Sequence, residues 1–244
     1  MRNHFSKLKI IFYLGLSLIF YNEFLVYWIS YINWPSVHNY STSKTNESYR
    51  LLLVADPQLI GENDEPWFLS WIAQWDSDRY LRSTYALANS HVKPNATIYL
   101  GDLFDEGLKS SDEQLYRYYN RFQRIFQCEK MQNVHKIKQI YISGDNDIGG
   151  EYYGDRNDHL AERFEKYFGD IVDVLDLNSF LNIIKLDLDY TYSFYNKLKK
   201  EFIKKNLNNI KVKKNQNNKM FTIILNHMSL LNKRDFELNE VFIN

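Results

Sequence analysis

The most continuous apolar pattern in the chain runs from Ile10 to Ile32, IIFYLGLSLIFYNEFLVYWISYI, interrupted by Asn22 and Glu23. A helix needs about 20 such residues to cross a bilayer core. A polar stretch rich in Ser, Thr and Asn follows and reads as a linker. From Tyr49 onward short apolar runs alternate with longer segments of helical spacing. Arg50–Ala55, Ala96–Leu100, Gln139–Ser143 and Phe221–Leu225 are predicted strands, the first of the continuous kind that suits burial on both faces. Trp67 to about Asn89, Asp112–Phe126 and about Asp158–Phe168 are predicted helices, with Asp112 as a start signal and Gly169 as a stop. Beyond Asp170 the pattern weakens: Phe180–Leu188 reads as a strand, Thr191–Leu207 as a helix and Lys211–Lys219 as a solvated basic loop. Strands alternating with helices predict an α/β layered domain with a sheet between helices.

Composition narrows the classes. The 244 residues hold 45% hydrophobic and 16% aromatic side chains, enough for a folded core and unlike a disordered chain. Thirty Lys and Arg balance thirty Asp and Glu. That balance argues against nucleic acid as a partner, since phosphate neutralisation needs a basic surplus. The single cysteine, Cys128, excludes an internal disulfide framework and a cysteine-cluster zinc site.

For the apolar run, an uncleaved membrane anchor competes with a cleaved signal peptide and a buried helix. The anchor is favoured, because the run is too long for a typical signal and no small-x-small cleavage site follows it. Tyr27, Trp28, Tyr31 and Trp34 also gather at its far end, where aromatic side chains sit at headgroup level. Arg2, Lys7 and Lys9 precede the run, and the next basic residue is Lys44. The positive-inside rule then expects residues 1–9 in the cytosol, 10–32 in the membrane, 33–48 as a lumenal linker and 49–244 as a lumenal domain. Three glycosylation sequons, at Asn39, Asn46 and Asn95, accord with this topology. Asn95, just before a predicted strand, is the least suited of them.

The chemistry collects where strands end. The first strand ends in Asp56-Pro57-Gln58, and the second in Gly101-Asp102-Leu-Phe-Asp-Glu-Gly107. The third ends in Gly144-Asp145-Asn146-Asp147, and the last in Asn226-His227. Carboxyl ends of strands in open α/β sheets are where functional groups converge. Oxygen donors with one imidazole suit Mn²⁺, Fe or Zn²⁺. A carboxylate between two such ions can bridge them, and a metal pair can activate a water for in-line attack on a phosphoryl group. Taken singly, an Asp after a strand is most often a turn or cap residue. The ordered series is what points to a site.

The series resembles the calcineurin-like metallophosphoesterase superfamily, whose motif order is D-x-H, G-D-x-x-D, G-N-H-[DE], a His, and G-H-x-H. Within it the likeness is to the metallophosphoesterase 1 group, GPI-anchor-remodelling phosphoesterases of the early secretory pathway. It runs from Glu23 to His227 and is carried by Ala55-Asp-Pro-Gln-Leu-Ile-Gly61, Leu100-Gly-Asp-Leu-Phe-Asp-Glu-Gly107, Gly144-Asp-Asn-Asp-Ile-Gly149 and Arg163-Phe-Glu-Lys166. The resemblance implies a four-layer α/β/β/α sandwich, C-terminally incomplete, behind an N-terminal transmembrane helix. It implies two divalent metal ions, Mn²⁺ first, with Fe or Zn²⁺ as alternatives. Asp56 would hold one ion, with Gln58 at a His position. Asp102 would bridge both and His227 would bind the other, while Asp145 stands where the family's metal-binding Asn lies and Asn146 where its His lies, so that either of these two could be the further ligand. Asn146 stands at the catalytic His position, where an amide cannot protonate a leaving group.

The implied activity is removal of ethanolamine-phosphate from a mannose of GPI anchors in the endoplasmic reticulum and early Golgi. The membrane and a GPI glycolipid or GPI-anchored protein are the implied partners. No G-H-x-H follows His227, so the expectation is a short form, or a truncated gene model, with weak metal affinity and poor hydrolysis. The alternative reading is a non-catalytic GPI-glycan or cargo-binding relative with an incomplete metal site.

Overall fold

The protein is described by a computed structural model over residues 2–37, 49–64, 66, 68–150, 158–178, 181–187 and 221–228. It opens with α1 (Arg2–Phe20), one wider π turn (Tyr21–Leu25) and α2 (Val26–Asn33), continuous with one another. The Val26 N–H reaches back to the Tyr21 carbonyl, the five-residue spacing that makes the wider turn. This irregularity falls on Asn22 and Glu23, the two residues that interrupt the apolar run. Within this helix Lys7–Asn33, 27 residues, is long and apolar enough to cross a membrane. At about 1.5 Å per residue it spans about 40 Å, more than a bilayer core of about 30 Å. None of that window is buried against the rest of the chain, so its apolar side chains have no protein core to fill.

After β1 (Leu51–Val54) come α3 (Ser70–Val92), β2 (Ala96–Leu100), α4 (Asp112–Ile125), α5 (Cys128–His135) and β3 (Lys138–Ile142). The three strands pair in parallel in the order β1-β2-β3, with Leu53 opposite Ile98 and Ile98 opposite Ile140. Parallel neighbours require crossovers, and α3 supplies one, with α4 and α5 the next. The chain continues through α6 (Asp145–Ile148), α7 (Asp158–Phe168), β4 (Asp173–Asp176), β5 (Leu181–Lys185) and β6 (Phe221–Leu225). The last three strands form a second sheet in which β5 pairs antiparallel with β4 and parallel with β6.

Strand alternation sorts the core into two clusters. On the helix side, Tyr99 of β2 and Tyr141 of β3 stack with centroids 5.1 Å apart, and Phe104, Phe122, Phe126 and Phe168 pack around them. The opposite face is aliphatic: Ala96, Ile98, Ile140 and Ile142 meet Ile183 and Leu225 from the second sheet. Ile184, the next residue along β5, belongs to the aromatic cluster, so the second sheet shares both. Phe122 touches five other rings and is fully buried. Truncating it to Ala would cost about 3–5 kcal/mol.

The architecture is the expected mixed α/β one, with local differences that have physical reasons. In the first sheet β2 is the most buried strand, from Ala96 to Tyr99; β1 lies at the sheet edge and Leu53 is 56% exposed, so the expected burial of that strand on both faces does not hold. The cap of α4 is Ser111, one residue before the predicted start. Its hydroxyl accepts from the Gln114 N–H while the Gln114 side chain accepts from the Ser111 N–H, a reciprocal arrangement that satisfies two end donors. Helix α7 stops at Phe168 because Gly169 takes φ +81°, as expected for a glycine just past a helix end. The β4 strand, α5 and α6 were not anticipated. Most of the linker, Thr191–Leu207 and Lys211–Lys219 lie outside the described residues.

Candidate metal centre

Each strand of the first sheet hands the chain to a sharply bent loop. Asp56, Gln58 and Asp102 take φ values of 45°, 39° and 49°, the left-handed region that side chains rarely adopt. Such backbones persist where neighbours over-determine them. Here the loop after β1 is tied to the loop after β2: Gln58 N–H donates to the Asp102 carbonyl at 3.0 Å and Leu59 N–H to the Leu103 carbonyl at 3.1 Å. Gly144, after β3, lies against Asp102 so closely that a Cβ there would run into its carboxylate and amide. The Gly-Asp pairs of the sequence are therefore a packing requirement as well as a turn signal.

Asp102 is the hub. It is buried, and both its oxygens are engaged. Oδ1 accepts from the Asn146 N–H and Oδ2 from the Asn146 side-chain amide, each at 3.0 Å. The Gln58 amide approaches Oδ2 at 3.5 Å, and His227 Nε2 lies 3.5 Å from Oδ1. Burial raises the Asp102 carboxyl above the ordinary range, with Asp145 and Asp56 adding to this and the Asn146 amide and His227 opposing it.

His227, after β6, joins the second sheet to this hub. Its Nδ1 lies 2.7 Å from the Leu100 carbonyl oxygen. A carbonyl only accepts, so the proton sits on Nδ1 and Nε2 faces the carboxylates, Asp145 at 3.2 Å and Asp102 at 3.5 Å. A backbone carbonyl holding the far nitrogen is the usual device for aiming an imidazole at a ligand. Burial lowers the His227 pKa, but the Leu100 carbonyl and the Asp102, Asp56 and Asp145 carboxylates outweigh it and leave it raised. Asp56 lies 3.9 Å from the ring and is exposed.

All six candidate residues thus surround Asp102 or His227. Asp56, Asp102 and His227 each bring one donor atom to within 4.8 Å of the others. Two carboxylates and an imidazole form a donor set that fits a divalent cation such as Mn²⁺, Fe²⁺ or Zn²⁺. Asp145 meets the imidazole at the same nitrogen as Asp102, Nε2.

Two buried carboxylates escaped the sequence reading because nothing in a one-dimensional pattern separates a ligand from a brace. Asp147 accepts from the N–H groups of Leu103, Phe104 and Gly144 at 2.9–3.1 Å. It thereby fixes the loops on either side of Asp102. Burial pushes its carboxyl up to about 7, against those amides. Glu106 accepts from the N–H groups of Glu62, Asn63 and Asp64 at 2.7–3.0 Å, shaping the loop that follows Gln58. Arg163, part of the motif on α7, is buried and donates to the Ser110 and Gly107 carbonyls, 2.7 Å each.

No protein-family model matches the chain. Among curated proteins it is 28% identical to Cell division control protein 1 of Saccharomyces cerevisiae, over 72% of this chain and 35% of that protein. It is 28% identical to Metallophosphoesterase 1 of Ailuropoda melanoleuca, over 68% of this chain and 42% of that one. Against Metallophosphoesterase 1 of Macaca fascicularis the identity is 30%, over 62% and 37%. The matches therefore cover well under half the length of these relatives. With its ordered Asp, Gly-Asp and His loops gathered around Asp102, the chain stands in a family relationship to the metallophosphoesterases.

Proposed function

We propose that the chain is a membrane-anchored, metal-dependent phosphoesterase. The observation that carries this reading is the meeting of Asp56, Asp102 and His227 at the strand ends, their donor atoms within 4.8 Å of one another. Asp56, with Gln58 beside it, would hold one ion and His227 the other, with Asp145 or Asn146 as a further donor, and Asp102 would serve both. Divalent ions, Mn²⁺ first, would supply there the Lewis acidity and the activated water that phosphoryl transfer needs. The protein's own part is positional. Leu100 aims His227, Asn146 holds Asp102, and Asp147 holds the loops. Asn146 cannot protonate a leaving group, so that proton comes from elsewhere, at a loss of general-acid help typically worth about 10²–10⁴-fold.

We infer the substrate class from the anchor and from the resemblance of the loop motifs to GPI-remodelling phosphoesterases: an ethanolamine-phosphate branch on a mannose of a GPI glycolipid or GPI-linked protein, on the lumenal side of the endoplasmic reticulum or early Golgi. A lipid-tethered glycan stays within reach of a domain held at the same membrane.

The test is metal stoichiometry of the purified, folded protein alongside hydrolysis of a phosphodiester with Mn²⁺. Asp102→Asn is expected to lower occupancy at both sites, Asp56→Asn mainly at one. Unchanged stoichiometry in Asp102→Asn would overturn the assignment. A second reading, a GPI-glycan or cargo binder without catalysis, is favoured by the two amides, Gln58 and Asn146, that crowd Asp102. Retention of a GPI glycan without release of ethanolamine-phosphate would select it.

A further inference from the structure

The apolar N-terminal helix does not stand apart from the domain. Glu23 in its π turn pairs with Arg79 of α3. One turn on, Tyr27 lies 6.2 Å from Tyr80. Further on, Tyr31 and Trp34 lie 5.5 and 5.3 Å from His91, whose Nε2 is 3.0 Å from the Pro35 carbonyl oxygen. The partners ascend together along both helices, so α2 and α3 run in the same direction. Each turn of α3 that precedes Arg79 therefore points toward the part of the apolar helix that enters a bilayer.

Those turns are apolar and uncovered. Leu69, Trp71, Ile72 and Trp75 are all exposed, Trp71 by 68% and Trp75 by 62%. By helical spacing, Ile72 and Trp75 extend the stripe formed by Asp76, Arg79 and Tyr80, which faces the anchor. Tryptophan is the side chain enriched where membrane meets water. The charges just beside the patch are paired: Arg79 contacts Glu23 and Asp76 and lies 5.2 Å above the Trp75 ring. Ionisable groups near a bilayer are tolerated in that state. On the side of α3 facing the domain, the Gln74 amide donates to the Gly61 carbonyl at 2.8 Å, three residues from Gln58.

We propose that the first turns of α3, residues 69–75, insert into the leaflet on the domain's side of the membrane, beside the anchor. This rests on the reading of residues 10–32 as a membrane anchor. Because α3 is a crossover between parallel strands, its N-terminus lies at the edge of the sheet where the strands end. That edge carries Asp56, Asp102, Asp145 and His227. Insertion therefore turns the candidate metal centre toward the headgroups, where a lipid-tethered phosphoester is presented, and fixes the domain by two elements instead of one.

The test uses the full chain in phosphatidylcholine vesicles with nitroxide-labelled lipid. A fluorescent thiol label is placed by Ile72→Cys on α3, by Leu18→Cys in the anchor, or by Val134→Cys on the exposed end of α5. Trp75→Cys serves as a second α3 label should Ile72→Cys fail to fold. The expected result is lipid quenching at position 72 at least half as deep as at 18, with position 134 unquenched. Quenching at 18 with none at 72 or 75 would overturn the insertion and leave the anchor standing. Absence of quenching at 18 would overturn the anchor, and the insertion with it.

Discussion

The Leu100 carbonyl oxygen lies 2.7 Å from Nδ1 of His227, although 127 residues separate the two in sequence. That contact requires the next residue, Gly101, to have no side chain. Gly101 takes φ +95°, and a Cβ on it would press into the imidazole. Gly101→Ala is therefore expected to lower both stability and metal affinity, with backbone strain alone costing about 1–3 kcal/mol. Gly169→Ala is the matched control. It also has positive φ, at +81°, but nothing lies near its added methyl. It should cost about 1 kcal/mol of stability and leave metal binding intact. Thermal melting with metal titration reads both, and equal metal affinity in the two variants would refute the account.

Glu106 and Tyr118 make a second, separable prediction. The Glu106 carboxylate receives three consecutive backbone N–H groups, while Tyr118 Oη accepts from the Glu62 N–H at 2.8 Å and lies 3.3 Å from the carboxylate. Burial, with both neighbouring carboxylates adding and the Glu62 amide opposing, pushes the Tyr118 phenol up to about 12, so it stays a donor at neutral pH. Glu106→Ala orphans the Asn63 and Asp64 amides, the Glu62 amide keeping Tyr118, and should destabilise by about 2 kcal/mol or more, Tyr118→Phe by about 1 kcal/mol. Arg117→Ala, which removes only an exposed ion pair to Glu62, should leave the urea midpoint in place. A Glu106→Ala midpoint no lower than that of Arg117→Ala would contradict the bracing role.

These braces mark where the sequence stopped being informative. Asp56, Asp102, Asp145 and His227 could be gathered in advance because each follows an apolar run of strand length and functional groups collect at the carboxyl ends of strands, although His227 comes from the second sheet. Asp147 and Glu106 lie in the same motifs and have the same chemistry, yet they face backbone amides. That difference depends on loop curvature, which only the fold sets. Helix α6 is four residues long, too short for any period to register, and Asp147 itself holds its first turn through the Gly144 N–H. The exposure of Leu53 follows from β1 lying at the sheet edge, a matter of strand order. The pairing of Glu23 with Arg79 joins two segments whose individual patterns are complete without each other.

Arg163 tests how the loop after Asp102 is held. Its two terminal nitrogens each donate to a different carbonyl, Ser110 and Gly107, from a buried position, and Nη1 also reaches Asp112 at 3.3 Å. A lysine at this site is a point donor and cannot span both carbonyls in one plane. Arg163→Lys should cost about 1–2 kcal/mol, and Arg163→Ala clearly more. Hydrogen exchange should show the loss concentrated in residues 107–111 rather than spread over α7. Uniform loss of protection along α7 would point to helix packing instead.

Cys128 carries the pH prediction. It is the first residue of α5, fully buried, with Sγ 3.8 Å from the Tyr99 hydroxyl. Burial raises its thiol above the ordinary value, with the Tyr141 and Tyr99 hydroxyls opposing. A raised folded-state pKa means the folded chain keeps a proton that the unfolded chain releases. The associated stability is therefore whole below the unfolded thiol value, about 8.5, and is lost progressively as pH rises above it. The thiolate is the reactive form, so the native protein at about pH 8 should react with a disulfide reagent far more slowly than the urea-unfolded chain. The native rate should climb with pH only as the fold opens, tracking the loss of near-ultraviolet dichroism. Rapid stoichiometric labelling of the native protein at about pH 8 would show that the aromatic cluster around Tyr99 and Tyr141 does not seal this thiol.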